Sequence, residues 1–286
     1  MSLLLAAGLL GLVVGSFLNV VAYRVPIMME LTWRQQQTDS DTQAFTPPPH
    51  AAQGKFNLMW PPSACPSCGE AIAARHNIPV LSFLWLRGRC AHCASSVSAR
   101  YPIVEAFAAL ASLVVAWQFA ASWQTVAALL LTWTLIALAL IDLDHKLLPD
   151  SLTLPLMWGG IALSLFEFDG QPLFADVRSS VLGAMAGYLT LWSIYQAFKL
   201  VTGKEGMGYG DFKLLGALGA WLGWQMLPLV ILLSAAVGSI VGISLIVFGG
   251  RSRQAAIPFG PYLAAAGWIA LLWGPELMSS YLQLLN

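Results

Sequence analysis

Eight apolar stretches, separated by polar connections, run through this chain of 286 residues at roughly 3–22, 102–120, 124–141, 152–167, 178–198, 212–225, 228–248 and 258–282. About 20 apolar residues in a helix cross a bilayer core roughly 30 Å thick. The chain is 58% hydrophobic and only 10% charged, whereas an ordinary globular domain is about 25% charged. Within lipid, helices satisfy every backbone polar group internally. The pattern therefore predicts an all-α, polytopic membrane protein with about eight transmembrane helices. The stretch at 212–225 is short and Gly-rich, while 178–198 and 228–248 are long enough to tilt.

Charge placement supports this count. Thirteen of the 14 basic residues fall in four connections: 23–101, 142–151, 199–213 and 249–257. With eight crossings all four lie on one face, and the positive-inside rule makes that face cytoplasmic. Both termini are then expected outside. The remaining basic residue, Arg178, shares the opposite face with Glu167, Asp169 and Asp176. Residues 3–22 lack a basic leader segment and a small-x-small cleavage site, so they read as a retained helix. Net charge is zero, which gives no general attraction to nucleic acid; membrane lipid is the expected surrounding.

The connection 23–101 is the one sizeable extramembrane piece. Its first half, about 30–60, contains Gln35-Gln36-Gln37 and Pro47-Pro48-Pro49 and reads as loose linker. Its second half, about 60–101, carries Cys65-Pro66-Ser67-Cys68 and Cys90-Ala91-His92-Cys93. Two Cys-x-x-Cys knuckles at this separation predict a tetrahedral four-thiolate zinc site. Four thiolates leave no open position, so the metal is expected to be structural, a staple for a cytoplasmic insert. His92 is an alternative ligand. The expected division is 1–22 as the first membrane helix, 23–101 as the zinc-stapled loop, and 102–286 as a seven-helix membrane domain. Small-residue pairs (Gly11/Gly15, Gly183/Gly187 and Gly238/Gly242) permit close helix packing.

Two carboxylates stand where charge is costly. Asp142 follows directly on Ala139-Leu140-Ile141, and Asp211 closes Gly208-Tyr209-Gly210-Asp211. Ionisable groups at membrane helices are candidates for function. An alternative reading of each is a charge at a helix end, with Asp211 as a cap. Both fall on the same expected face, where a carboxyl pair can share a proton and drive water onto a peptide bond. Asp144, His145 and Lys146 read as ordinary membrane-edge charges, and Asp150 as a further one or as a helix cap. Lys213 is placed to balance charge near Asp211.

Other segments extend the pattern: Gly15-Ser16-Phe17-Leu18-Asn19 with Arg24 and Pro26, Asn77-Ile78-Pro79, Arg100-Tyr101-Pro102-Ile103-Val104-Glu105, Leu148-Pro149-Asp150, Thr202-Gly203-Lys204-Glu205-Gly206-Met207 before the Asp211 motif, and Pro258-Phe259-Gly260-Pro261. Together with the knuckles and the two aspartates, these make the chain resemble the type IV prepilin peptidases. Those are bifunctional leader peptidase/N-methyltransferases among the GxGD intramembrane aspartyl proteases. His76 stands where family members often carry Glu.

The resemblance implies a catalytic pair at Asp142 and Asp211. It implies prepilin or type II secretion pseudopilin substrates, cut at the cytoplasmic face of the bacterial inner membrane. It also implies methylation of the new N-terminus from S-adenosylmethionine. No glycine-rich nucleotide fingerprint marks a donor site; Asn77, Gly88 and Glu105 in the inserted module are the candidates, with Glu105 alternatively a helix N-terminal charge. The alternative function is an ion- or proton-coupled transporter using the two aspartates. That reading leaves the zinc module without a role.

Overall fold

Each of the eight apolar stretches forms a helix. The computed structural model describes residues 2–36, 56–168, 170–248 and 257–285. Most of the expected linker, with Gln37, Pro47-Pro48-Pro49 and Lys55, lies outside the described residues, as do Asp169, Arg251 and Arg253. The long helices are α1 (Ser2–Gln36), α3 (Arg100–Phe119), α4 (Trp123–His145), α5 (Asp150–Ser164), α6 (Val177–Thr202), α7 (Tyr209–Leu222), α8 (Leu227–Val247) and α9 (Gly260–Leu285). A five-residue helix, α2 (Leu81–Trp85), lies in the insert. The pair β1 (Glu167–Phe168) and β2 (Gln171–Pro172) forms an antiparallel hairpin before α6. By length and composition alone, α1, α3, α4 and α8 can cross a membrane. At 15 and 14 residues, α5 and α7 are short for a bilayer.

The described residues cluster into two units, one ending at Trp117 and the other starting at Gln118. Helix α3 falls largely in the first of these. The first helix is longer than expected: it runs to Gln36 instead of ending at Ala22. Val25 and Ile27 are buried on this extension, and Glu30 pairs with Arg34 one turn on, at 3.0 Å. The sequence here is polar enough to read as loop, but it has an apolar side and a helix-stabilising pair.

Within the first unit, α1 lies on α3 through glycine. A Cβ at Gly11 would come within 2.7 Å of the Ala109 Cα, and one at Gly15 within 2.8 Å of the Glu105 Cα. Backbones meet this closely only where side chains are absent. Asn19 donates to the carbonyls of Gly15 and Tyr101 at 3.2 and 3.3 Å, which fixes the helix register. Buried Arg24 donates to the Asn57 and Pro61 carbonyls at 2.8 and 2.7 Å, anchoring the start of the insert.

In the second unit α7 is the buried element, enclosed from Leu214 to Trp221. Helices α5, α6 and α9 pack on it. A Cβ on Gly187 would strike the Leu215 carbonyl carbon at 2.9 Å, and Gly183 meets the Gly219 backbone directly. Polar contacts complete the seams: Ser180 donates to the Ala220 carbonyl at 2.7 Å, and the Trp221 indole donates to the Leu156 carbonyl at 2.7 Å. The Gly238/Gly242 pair behaves differently, since its neighbours are side chains, Tyr262 at 3.2 Å and Ile257 at 3.3 Å from a built Cβ. Ser122 caps α4 and Asp176 caps α6.

Candidate active site and metal centre

Asp142 is not in a loop. It sits in the last turn of α4, buried, and the helix continues to His145. Lys146, in the left-handed conformation, caps that helix by donating its N–H to the Asp142 carbonyl at 2.9 Å. The Asp142 carboxylate accepts the N–H of Gly260 at 2.9 Å. Gly260 is the first residue of α9, so the carboxylate lies at a helix N-terminus, where unpaired N–H groups favour an anion. The structure thus gives the Pro258-Phe259-Gly260 segment a task that its sequence did not disclose.

Asp211 occupies the first turn of α7 and is also buried. Its N–H donates to the Gly208 carbonyl at 3.2 Å. Leu148, itself buried, is wedged between the supports of the two aspartates. A Cβ at Gly210 would stand 2.6 Å from the Leu148 Cβ, and one at Gly260 would stand 3.1 Å from its Cδ2 and 2.7 Å from the Asp142 Oδ2. Gly260 cannot gain a side chain without displacing Asp142, and Gly210 cannot without displacing Leu148. Gly260→Ala is therefore expected to slow any Asp142-dependent chemistry by about 100-fold, the usual cost of misplacing a reacting group by about 1 Å. Turnover compared with unchanged thermal stability checks this.

Asp150 does not cap α5, whose N-cap is Pro149. Both of its carboxylate oxygens accept from Lys213 Nζ, at 2.6 and 2.8 Å, on an exposed surface. Lys213 thus balances Asp150, not Asp211. Asp144 and His145 are exposed at the end of α4, as expected for edge charges.

Lys199, in the last turn of α6, donates to Glu205 at 2.8 Å and to the Tyr195 hydroxyl at 3.4 Å. The Lys199 hydrogen bond and charge hold the Glu205 carboxyl below its usual range. The pair therefore stays ionised at neutral pH.

The four cysteines converge. Their Sγ atoms all lie within 4.8 Å of one another, and Cys65 and Cys93 are 3.8 Å apart. Zinc–sulfur bonds of about 2.3 Å in a tetrahedron require sulfurs about 3.8 Å apart, so the donor set fits a four-thiolate site. The knuckles are near copies. The Gly69 N–H returns to the Cys65 carbonyl at 2.9 Å, and the Ala94 N–H to the Cys90 carbonyl at 3.0 Å. Each knuckle is closed by a bridge, Ala64 with Ala71 and Arg89 with Ser96. Backbone N–H groups of Cys68 and then Ser67 hold the Cys65 thiol down to about 6. His92 is exposed and outside this cluster. Gly69 and Ala94 take the same left-handed turn, at φ 72° and 55°. Since alanine is strained there by about 1 kcal/mol, Ala94→Gly is expected to raise the insert's thermal midpoint and Gly69→Ala to lower it.

Of the three donor-site candidates, Asn77 is exposed at the end of a short turn. Gly88, at φ 68°, serves the second knuckle: its carbonyl accepts from Val97 at 2.8 Å, and a Cβ would press on the Phe83 ring. Glu105 is not a first-turn charge of α3. It is buried and accepts the Val80 N–H at 2.7 Å. Val80 has φ 60° and centres a three-residue turn, with the Leu81 N–H reaching the Pro79 carbonyl at 2.6 Å. This conformation is strained for a β-branched residue. Glu105 thereby clamps the turn that follows Asn77, while Gly88 is occupied elsewhere.

Residues 9–119 match the family model described as the bacterial peptidase A24 N-terminal domain, and residues 129–243 match that of the type IV leader peptidase family. Curated relatives named prepilin leader peptidase/N-methyltransferase match over nearly the whole chain. That of Aeromonas salmonicida (strain A449) is 57% identical over 275 residues, covering 96% of this chain and 92% of that protein. The Stutzerimonas stutzeri protein is 53% identical over 283 residues, covering 99% and 95%. The Pseudomonas aeruginosa protein is 52% identical over 275 residues, covering 96% and 92%. No solved structure matches. Similarity of this extent, covering both the cysteine knuckles and the two aspartates, establishes that the chain belongs to the type IV leader peptidase family.

Proposed function

We propose that this protein cleaves the leader from type IV prepilins or secretion pseudopilins with Asp142 and Asp211, and then N-methylates the exposed residue. The observation that carries the peptidase reading is a pair of buried carboxylates, Asp142 on α4 and Asp211 on α7, whose neighbouring glycines, Gly260 and Gly210, both close on Leu148. In an aspartyl dyad one carboxyl keeps a proton while its partner is ionised. The ionised member takes a proton from water as the water attacks the scissile carbonyl. The protonated member donates to that carbonyl oxygen, and the tetrahedral diol collapses to acid and amine. The reaction would take place at the cytoplasmic face of the inner membrane, a reading that the distribution of Lys and Arg supports. Both termini then lie outside.

In the first unit, Cys65, Cys68, Cys90 and Cys93 would hold one zinc ion as a structural staple. Methylation belongs to the same unit in this reading. S-adenosylmethionine supplies a methyl group to a free amine, and the task of the chain is to hold that amine in line. Glu105 maintains the strained turn after Asn77, and Asn77, Gly88 and Glu105 remain the candidates for the donor site. The test is incubation of purified protein with a prepilin and labelled S-adenosylmethionine, followed by mass and N-terminal analysis. A shortened, singly methylated product is expected. Intact substrate, together with proton- or ion-coupled flux in liposomes, would establish the transporter alternative instead.

A further inference from the structure

Asp211 lies in the first turn of its helix, where backbone bonds are incomplete and a residue is poorly held by its own element. The side chains that flank it are held by α6 instead. Tyr195, only 3% exposed, packs its ring 5.5 Å from Tyr209 and 5.6 Å from Phe212, which are themselves 5.4 Å apart. Tyr188 adds an edge contact to Phe212 at 5.9 Å. Asp211 therefore stands between two residues of an aromatic cluster rooted in the preceding helix.

The polar end of this cluster reaches the loop that leads into the motif. Lys199 bonds the Tyr195 hydroxyl and also Glu205, in the segment between α6 and α7. Next to Glu205, Gly206 sits on the Phe198 ring, where a Cβ would come within 2.8 Å. The segment is thus fastened at two adjacent residues, one by charge and one by shape. We propose that Tyr195, Lys199 and Glu205 are positioning residues for Asp211, forming a strap that sets where its carboxyl meets Asp142. This rests on the peptidase reading above.

The Lys199–Glu205 link of the strap contributes little to folding. Glu205 and Lys199 are 68% and 44% exposed at their side chains, and exposed pairs add little to global stability. Its effect is local, on the geometry of one catalytic carboxyl, so it belongs in kcat and not in KM.

The experiment uses the full-length protein in detergent with a full-length prepilin. Lys199→Glu and Glu205→Lys each put like charges on the strap. Each should lower kcat at least about fivefold, with KM changed less than about twofold and the thermal midpoint unchanged. The double exchange, which restores an opposite pair, should recover kcat to within about twofold of the starting protein. Unchanged kcat in both reversals, a rise in KM alone, or a double exchange no better than the worse single overturns the proposal. If the reversals do not fold, Glu205→Gln, at an exposed loop residue, decides it: lowered kcat supports the strap and unchanged kcat overturns it. Asp211→Asn is assayed in parallel. Cleavage by that variant defeats the peptidase reading itself, whereas an inactive Asp211→Asn beside a fully active Lys199→Glu defeats only the strap.

Discussion

Asp142→Asn and Asp211→Asn are each expected to be inserted and folded normally, yet to cleave prepilin at least about 1,000-fold more slowly, the scale of losing a positioned acid or base. An amide fills the same volume but cannot cycle a proton. At position 142 it can still accept the Gly260 N–H, so fold and chemistry separate cleanly. Asp144→Asn and Asp150→Asn should retain most activity. Asp144 is exposed, and the Asp150–Lys213 pair is a surface contact worth about 1 kcal/mol or less. Timed cleavage assays with matched protein amounts check all four. Full activity in Asp142→Asn would falsify the catalytic assignment.

Replacing one cysteine in each knuckle, as in Cys65→Ser with Cys90→Ser, is expected to abolish metal binding and unfold the insert. Structural zinc contributes about 10–16 kcal/mol of apparent folding free energy in small zinc-finger peptides, far more than the packing of an insert with few buried residues can replace. Purified starting protein should carry about one zinc ion for its four thiolates, and the double variant none. Because the structure places the knuckles and the aspartates in different units, the losses should divide. The cysteine variant should give cleaved, unmethylated product, and Asp211→Asn should still methylate a pre-cleaved pilin. Absence of metal from carefully reduced starting protein would remove the zinc assignment. Loss of both activities in the aspartate and the cysteine variants alike would favour one shared site.

The helices were legible because each apolar run is long and bounded by charge, and the glycine pairs at 11/15 and 183/187 correctly marked backbone contacts. The extension of α1 to Gln36 was not legible. A helix with one apolar side and frequent polar residues looks like a loop when every other helix is nearly all apolar. Asp142 and Asp211 stood out because charge is rare here. Their supports did not: Leu148 is one leucine among many, and the N–H of Gly260 is a backbone atom that no side-chain pattern reports. Tyr195 and Lys199 were hidden for a related reason. An aromatic and a lysine near a membrane helix end are commonplace, and only the fold reveals that both point at the segment carrying Asp211. Glu105 was visible as a charge, but its partner, the N–H of Val80, depends on a turn conformation that valine rarely adopts.

At 14 residues, α7 is about 21 Å long, roughly two thirds of a hydrocarbon core. Because it is enclosed by protein from Leu214 to Trp221, lipid does not have to thin around it. The helix is flanked by the non-helical segment 203–208 and, after Gly223, by a 3-10 turn at Trp224–Met226. Irregular backbone at bilayer depth survives only where protein or water covers it. Hydrolysis consumes one water per bond cut, and a fully sealed bundle would starve such a reaction. The short helix bears on this: it begins only two residues before Asp211, so the chain leading to that carboxyl is mostly exposed loop and not a further helical turn.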